Sequence, residues 1–438
     1  MSVLGRYCAA ATLARLADEM LTPGLVLLVL LRTGHPQEVG LVTAAWTLPS
    51  LASGPVLGAW LGRLRHRARA LAAGQVVVAV STLALVLTVG RTPILLPVAL
   101  AAIGGIVVPG TTGGFTSLVP GLSTDGTLSS LNRMDATTFN LSSIAGPALV
   151  GALAAIAGPA QALLVACCIA LAGAAAALTI PPGAEPPGDD RTGDDQPGND
   201  RTDNDRPGND RPGDGNPPGD DRPVALAETV RAGLRQVVRE PALRAATLAS
   251  VLGWGAVGML TVVLPLYAAN IGGKATYSGY LWTALELGCL VSTLTIARRD
   301  ARRPDRRVLV CTAAFGVVMF SWPLAHSLPV ALPLLFLAGI ASGPTLPALF
   351  ATRQQHSPRS LLSQVSTTGA SLKIGAFALG SAIGGVLVPA LGPGWVIVVV
   401  GATQLVAAAL GALVGGARDQ VVSARASDPT SASLPPRP

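Results

Sequence analysis

The chain runs to 438 residues, 50% of them hydrophobic and only 13% charged. Soluble domains carry roughly 25% charged residues, so this deficit, with aromatics at 4%, argues against a water-soluble enzyme and for a polytopic membrane protein. The net charge of +7 does not point to nucleic acid, because the arginines fall between apolar stretches, where the positive-inside effect accounts for them.

A membrane span needs about 20 mostly apolar residues. Six candidates occupy 8–32, 38–62, 70–90, 94–118, 131–157 and 160–180, and six more occupy 243–269, 276–297, 308–327, 329–351, 364–390 and 393–416. The first is interrupted by Arg15, Asp18 and Glu19, which does not fit a signal peptide, so it is read as a retained helix. Kinks are expected where Gly and Pro concentrate, in spans 4 and 10 above all. Basic residues follow span 2 (Arg63, Arg65, Arg67, Arg69), span 8 (Arg298, Arg299, Arg302, Arg303, Arg306, Arg307) and span 10 (Arg353, Arg359). The odd-numbered connections hold only Arg32, Arg91 and Lys274. This alternation predicts cytoplasmic N- and C-termini in a cell (plasma) membrane protein.

Between spans 6 and 7 the chemistry changes. Residues 183–223 hold twelve Asp/Glu against five Arg, a net charge of −7, in a degenerate five-residue repeat that begins RTGDD, QPGND, RTDND. Nothing apolar is available to bury, so the segment is expected to stay disordered as a cytoplasmic linker. Calcium ligation is not expected, because the positions and flanking helices of an EF-hand are missing. Beyond it, Ala225–Arg244 reads as an amphipathic helix, with Arg231, Arg235 and Arg239 forming one basic face suited to an anionic membrane surface. The expected parts are thus 1–182, a six-helix bundle; 183–223, the linker; 224–417, a lead-in helix and second bundle; and 418–438, a disordered tail. The five cysteines lie in or beside apolar stretches without metal-ligand spacing, and read as small buried hydrophobes.

The halves resemble each other. Gly146–Leu153 reads GPALVGAL and Gly380–Leu387 reads GSAIGGVL, 234 residues later. Pro109 and Pro344 are 235 apart, each with a Gly five residues earlier (Gly104, Gly339). Val39-Gly40 and Ser278-Gly279 each open the second span of their half. Matches at nearly one offset indicate a duplicated six-helix unit, the internal symmetry expected of transporters whose site lies between the repeats. The expected fold is therefore an all-α membrane protein of twelve transmembrane helices in two pseudo-symmetric six-helix bundles.

With this layout, the stretch from Gly58 through Arg63 to the basic cluster at Arg65–Arg69 resembles the loop between spans 2 and 3 of the major facilitator superfamily. Gly62 stands where that family usually carries Asp. Gly146-Pro147 with Gly151 resembles the fifth-span motif of drug:proton antiporters, with Val150 in place of a second Gly. Ala17-Asp18-Glu19, followed by an apolar run and Thr33-Gly34, is similar to exporters of the macrolide and siderophore type. The resemblance implies alternating access, with efflux as the direction. It also implies gating roles for Gly58, Arg63 and Arg67 and for the motif glycine Gly151. Pro109, Pro344 and Gly146-Pro147 mark places where a helix can bend or pack closely, which suits helices that rock during alternating access, and simple packing competes as their explanation.

An ionisable side chain at mid-membrane costs at least about 2.5–3.5 kcal/mol, so it needs a partner, a cavity or a role. Arg15, Asp18 and Glu19 share one helix face by their i, i+3, i+4 spacing. They form either an internal ion pair or a proton-coupling site with at least one titrating carboxylate. Glu286, about eleven residues into span 8, is a second coupling candidate. Candidate substrate contacts are Trp46, Trp254 and Trp282 as lipophilic walls, Asn140 as a hydrogen-bonding group and Lys373, one of only two lysines, as a counter-charge. Core packing competes for the tryptophans, helix–helix bonding for Asn140 and snorkelling for Lys373. No catalytic or metal-ligating constellation is visible, so the chain is not expected to be an enzyme. The expected function is proton-coupled export of a small lipophilic compound, powered by the proton gradient without a cofactor. The expected partners are that substrate and the lipid bilayer, with no nucleic acid and a monomeric chain. An uptake permease or facilitator of the same fold, and a non-transporting sensor or scaffold, stay open.

Overall fold

A computed structural model describes residues 3–64, 66–122, 128–181, 226–295, 303–358 and 361–426. The expected linker at 183–223, Arg65 and the basic residues Arg298, Arg299, Arg302 and Arg359 lie outside the described residues, as does the Arg63 side chain. All regular structure among the described residues is helical. The first half comprises α1 (Val3–Thr33), α2 (Pro36–Thr47), α3 (Ser50–Arg63), α4 (Arg67–Thr88), α5 (Leu95–Pro109), α6 (Leu128–Ile156) and α7 (Pro159–Leu178). The second comprises α8 (Leu226–Arg239), α9 (Pro241–Gly272), α10 (Ser278–Thr295), α11 (Pro304–Met319), α12 (Leu328–Ser342), α13 (Thr345–His356), α14 (Leu362–Leu391) and α15 (Pro393–Ala426).

Local chemistry sets these boundaries. Pro opens α2, α7, α9 and α11, where a missing N–H leaves no intrahelical bond unmade. Gly273 closes α9 in the left-handed region at φ 77°, which only glycine enters without penalty. The expected kinks in spans 4 and 10 are present. α5 stops at Pro109, and Gly110–Gly114 continues as a π-turn; α12 and α13 are separated at Gly343-Pro344. Span 2 also breaks, at Leu48-Pro49 between α2 and α3. Proline cannot donate to the preceding turn and crowds its carbonyl. α15 continues to Ala426, nine residues past the expected boundary at 417, because no Pro follows Pro393 until Pro429.

Among the described residues, eight helical stretches are long and apolar enough to cross a membrane unaided. The other four spans fall short for visible reasons. α1 carries Arg15, Asp18 and Glu19, span 2 is split, α5 is shortened by Pro109, and α10 is diluted by Glu286 and its hydroxyl side chains. The outer surface is apolar, with Leu95 78%, Ile156 86% and Leu413 73% exposed, as lipid contact requires.

The duplication governs the packing. In the first half α1 packs on α6 and α7, and α2 on α5; in the second α9 packs on α14 and α15, and α10 on α12. These are the same pairings in each repeat. The halves join through two equivalent seams, α2 against α14 and α6 against α10. Glycines make both seams possible. A Cβ on Gly385 would lie 3.3 Å from the Gly40 Cα, and one on Gly151 would lie 2.9 Å from the Gly279 Cα. The repeated Gly151/Gly385 and the paired Gly40/Gly279 therefore face each other across the two halves. Small residues are needed there because only they let transmembrane backbones approach this closely.

Candidate functional site

The charged triad of α1 divides in two. Arg15 is 2% exposed and turns away from its helical neighbours to Asp135 on α6. Its Nη1 lies 2.8 Å from the Asp135 Oδ1 and donates to the Asp135 carbonyl at 2.9 Å. Nη1 also donates to Thr138 at 2.5 Å, and Nη2 to Thr116 at 2.9 Å. Both oxygens of Asp135 are occupied, Oδ1 by the Tyr7 hydroxyl at 2.5 Å and Oδ2 by Thr116 at 2.9 Å. The guanidinium also lies over the Phe139 ring, 5.6 Å from its centroid. The internal ion pair that i, i+3, i+4 spacing allows is thus not formed. Among the described residues, Asp18 and Glu19 have no ion pair and no side-chain hydrogen bond.

Those two carboxylates face a cavity of about 190 Å³ between the halves. α1 supplies Asp18, Glu19 and Thr22; α2 supplies Trp46 and Thr47; α3 and α5 supply Ser50 and Val108. The second half supplies Trp254 from α9 with Ile374 and Phe377 from α14. Trp254 and Phe377 meet with ring centroids 6.3 Å apart. The Lys373 ammonium sits over Trp254, 4.3 Å from the ring centroid, a cation–π geometry. The aromatic rings of Trp254 and Phe377 therefore share the cavity with two carboxylates, while Lys373 reaches it only through Trp254. A larger cleft, about 250 Å³ between α3, α4 and the π-turn, is lined by Trp60, Leu71, Gln75 and other groups, none of them ionisable. It offers nothing to exchange a proton.

Five of the nine coupling and substrate candidates thus come together: Asp18, Glu19, Trp46 and Trp254 on the cavity, with Lys373 against Trp254. Glu286 is half-buried on α10 and lies close enough to Glu19 for their charges to interact. The Gly40/Gly279 offset also makes Glu286 the counterpart of Thr47, a cavity residue. Arg15 is committed to Asp135. Trp282 packs against the core of the second half, and Asn140 is exposed with no side-chain partner among the described residues. Asp135, Thr116 and Thr138 are the polar groups that sequence reading did not join to Arg15, and Tyr7 enters the cluster through Asp135. No spacing rule links residues more than a hundred positions apart.

The motif positions separate similarly. A Cβ on Gly146 would lie 2.6 Å from the Glu19 Cβ, so this glycine lets α6 press on α1 at the carboxylates. The Pro147 carbonyl and Gly151 meet Gly279 on α10. Gly58 is exposed with open space beside it, so no close packing requires a glycine there. Arg67 follows it at the start of α4 and is partly buried. Among the described residues no three His, Cys, Asp or Glu side chains are grouped to hold a metal.

Two halves, two glycine seams and a polar cavity between them define a membrane transporter fold. The family model of the Major Facilitator Superfamily matches residues 7–373, and the chain belongs to that superfamily. It is 27% identical over 394 residues to the uncharacterized MFS-type transporter y4rN of Sinorhizobium fredii, covering 86% of this chain and 87% of that one. It is 29% identical over 382 residues to the multidrug efflux pump Tap of Mycolicibacterium fortuitum, covering 83% and 84%. Among solved structures it resembles the nucleoside transporter NupG, with TM-score 0.71 and 11% identity over 94% of this chain and 99% of that one. It also resembles a bacterial homolog of the human lysosomal transporter Spinster in an inward-facing, unoccupied conformation, with TM-score 0.67 and 15% identity over 94% and 96%. These structural likenesses concern the fold. The chain is a transporter and not an enzyme.

Proposed function

We propose that this chain exports a small lipophilic compound in exchange for protons, with Asp18 and Glu19 as the coupling carboxylates and the cavity between the halves as the substrate site. One observation carries the reading: two carboxylates side by side in a membrane-spanning helix, with no cationic partner among the described residues, facing a cavity walled by Trp46, Trp254 and Phe377. An unpaired carboxylate in a span is costly and is retained where reversible protonation changes which conformation is preferred. Arg15, the cation that would have silenced them, is held by Asp135. Glu286 is a third carboxylate within electrostatic reach of Glu19. The efflux direction draws support from the relative named as a multidrug efflux pump and from the fifth-span motif. The macrolide and siderophore type rests on the first-span stretch alone. The alternating arginines support cytoplasmic termini; the reading takes the membrane to be the plasma membrane and the working unit to be a monomer with two pseudo-symmetric halves.

The test begins with the resistance profile of a deletion strain, which selects a transported compound. Purified protein in proteoliposomes is then driven by an imposed pH gradient. The Asp18→Asn, Glu19→Gln double variant is expected to lose gradient-driven transport while keeping downhill exchange of the same compound. Full gradient-driven transport in that variant would overturn the coupling assignment. Cellular accumulation of the compound, in place of depletion, would overturn the direction.

A further inference from the structure

We propose that the exposed face of α8 is a docking surface for anionic phospholipid headgroups of the surrounding bilayer. α8 ends at Arg239, and after Glu240 the chain enters α9 at Pro241. α9 is one of the helices long and apolar enough to cross the membrane, so chain continuity holds α8 at the membrane surface. The Arg244 guanidinium strengthens the junction, donating to the Val238 carbonyl at 2.9 Å and to the Val414 carbonyl at 2.7 Å.

The two sides of α8 differ. Val237 is buried, and a Cβ on Gly233 would lie 2.7 Å from the Gln364 carbonyl oxygen of α14. That side is pressed into the protein. On the opposite side Arg231, Arg235 and Arg239 are exposed and, among the described residues, form no ion pair. Successive helical residues are about 100° apart, so these three arginines make one strip. Leu234 and Val238, 44% and 53% exposed, run along one edge of it. An apolar edge beside a basic strip is the arrangement that rests in the interface, with aliphatic groups towards the acyl chains and guanidinium groups on the phosphates.

A second occupant of opposite charge is the acidic segment that precedes the helix. Residues 188–222 contain only Gly, Asp, Arg, Thr, Gln, Pro and Asn, with nothing apolar to cover Leu234 and Val238. Lipid satisfies both the charge and the apolar edge. α8 also presses on α14, which carries Lys373, Ile374 and Phe377, so lipid held there braces a helix of the substrate cavity.

The test uses the full-length protein in nanodiscs of pure phosphatidylcholine or of phosphatidylcholine with 30% phosphatidylglycerol, with hydrogen exchange read over 226–240. Exchange is expected to slow with phosphatidylglycerol, by about fivefold for each arginine engaged. The Arg231→Gln, Arg235→Gln, Arg239→Gln variant is expected to lose this difference while exchange in α9 stays unchanged. Equal exchange in the two lipids overturns the proposal. So does protection present in both lipids that disappears when residues 188–220 are deleted, which would assign the face to the acidic segment. Equal slowing by inorganic phosphate in phosphatidylcholine discs would show a free-anion site instead.

Discussion

Arg15 and Asp135 lie 120 positions apart in the chain, yet they determine how the carboxylates next to Arg15 behave. The pair is buried, and every oxygen of the Asp135 carboxylate is hydrogen-bonded. Removing one partner of such a pair leaves an uncompensated charge, at a cost of about 3–5 kcal/mol. Asp135→Asn is therefore expected to lower the midpoint of thermal unfolding of the detergent-purified protein sharply. Tyr7→Phe deletes one hydrogen bond, worth about 0.6 kcal/mol on average between membrane helices, and should shift it little. Asp18→Asn removes a carboxylate with no partner among the described residues, and should leave the midpoint unchanged or raised. A loss with Asp18→Asn equal to that with Asp135→Asn would show that Asp18 has a structural partner after all.

At the scale of elements, pattern and geometry agree where the signal is repeated and part where it is not. The Gly146/Gly380 and Gly151/Gly385 repeats are legible as letters; the fold sets the first pair against α1 and α9 inside each half, and the second into the seams between α6 and α10 and between α14 and α2. Pro109 and Pro344 were legible as breaks, because proline acts on its own turn. Pro49 acts in the same way, yet its break is hidden in the sequence because residues 38–62 read as one apolar run. The site was legible as a set of costly groups, since polarity in a span stands out at any position. Their pairing was not, because it depends on which faces of α1 and α6 meet. Trp46 and Trp282 show this, being alike in sequence context while only Trp46 lines the cavity. The 234-residue offset also places Lys373 opposite Phe139. Each takes part in a cation–π contact, with cation and ring exchanged between halves. If the glycine seams hold the halves together, Gly151→Val and Gly385→Val should each destabilise by about 1–3 kcal/mol, the cost of overpacking. Gly58→Val, with open space beside it, should leave the unfolding midpoint in place. A larger loss at Gly58 than at either seam would refute this reading of the packing.

For the whole molecule, the question is whether the halves need a covalent connection. Each has its own apolar core, one centred on Leu25, Leu28 and Leu163 and the other on Leu260, Leu264 and Trp322. The seams between them are built by α2, α6, α10 and α14, all outside the segment from 183 to 223. If residues 183–223 serve as a tether, as their composition leads one to expect, they contribute mainly effective concentration, which confinement to one membrane partly replaces. Chains 1–182 and 224–438, expressed together with a tag on the first alone, are expected to copurify from detergent and to regain transport, while neither does so by itself. Gly151→Val and Gly385→Val introduced together should abolish the copurification without lowering the yield of the tagged half. Copurification that survives both substitutions would mean that other surfaces join the halves. A tagged half that never accumulates alone would mean that its core depends on the partner half.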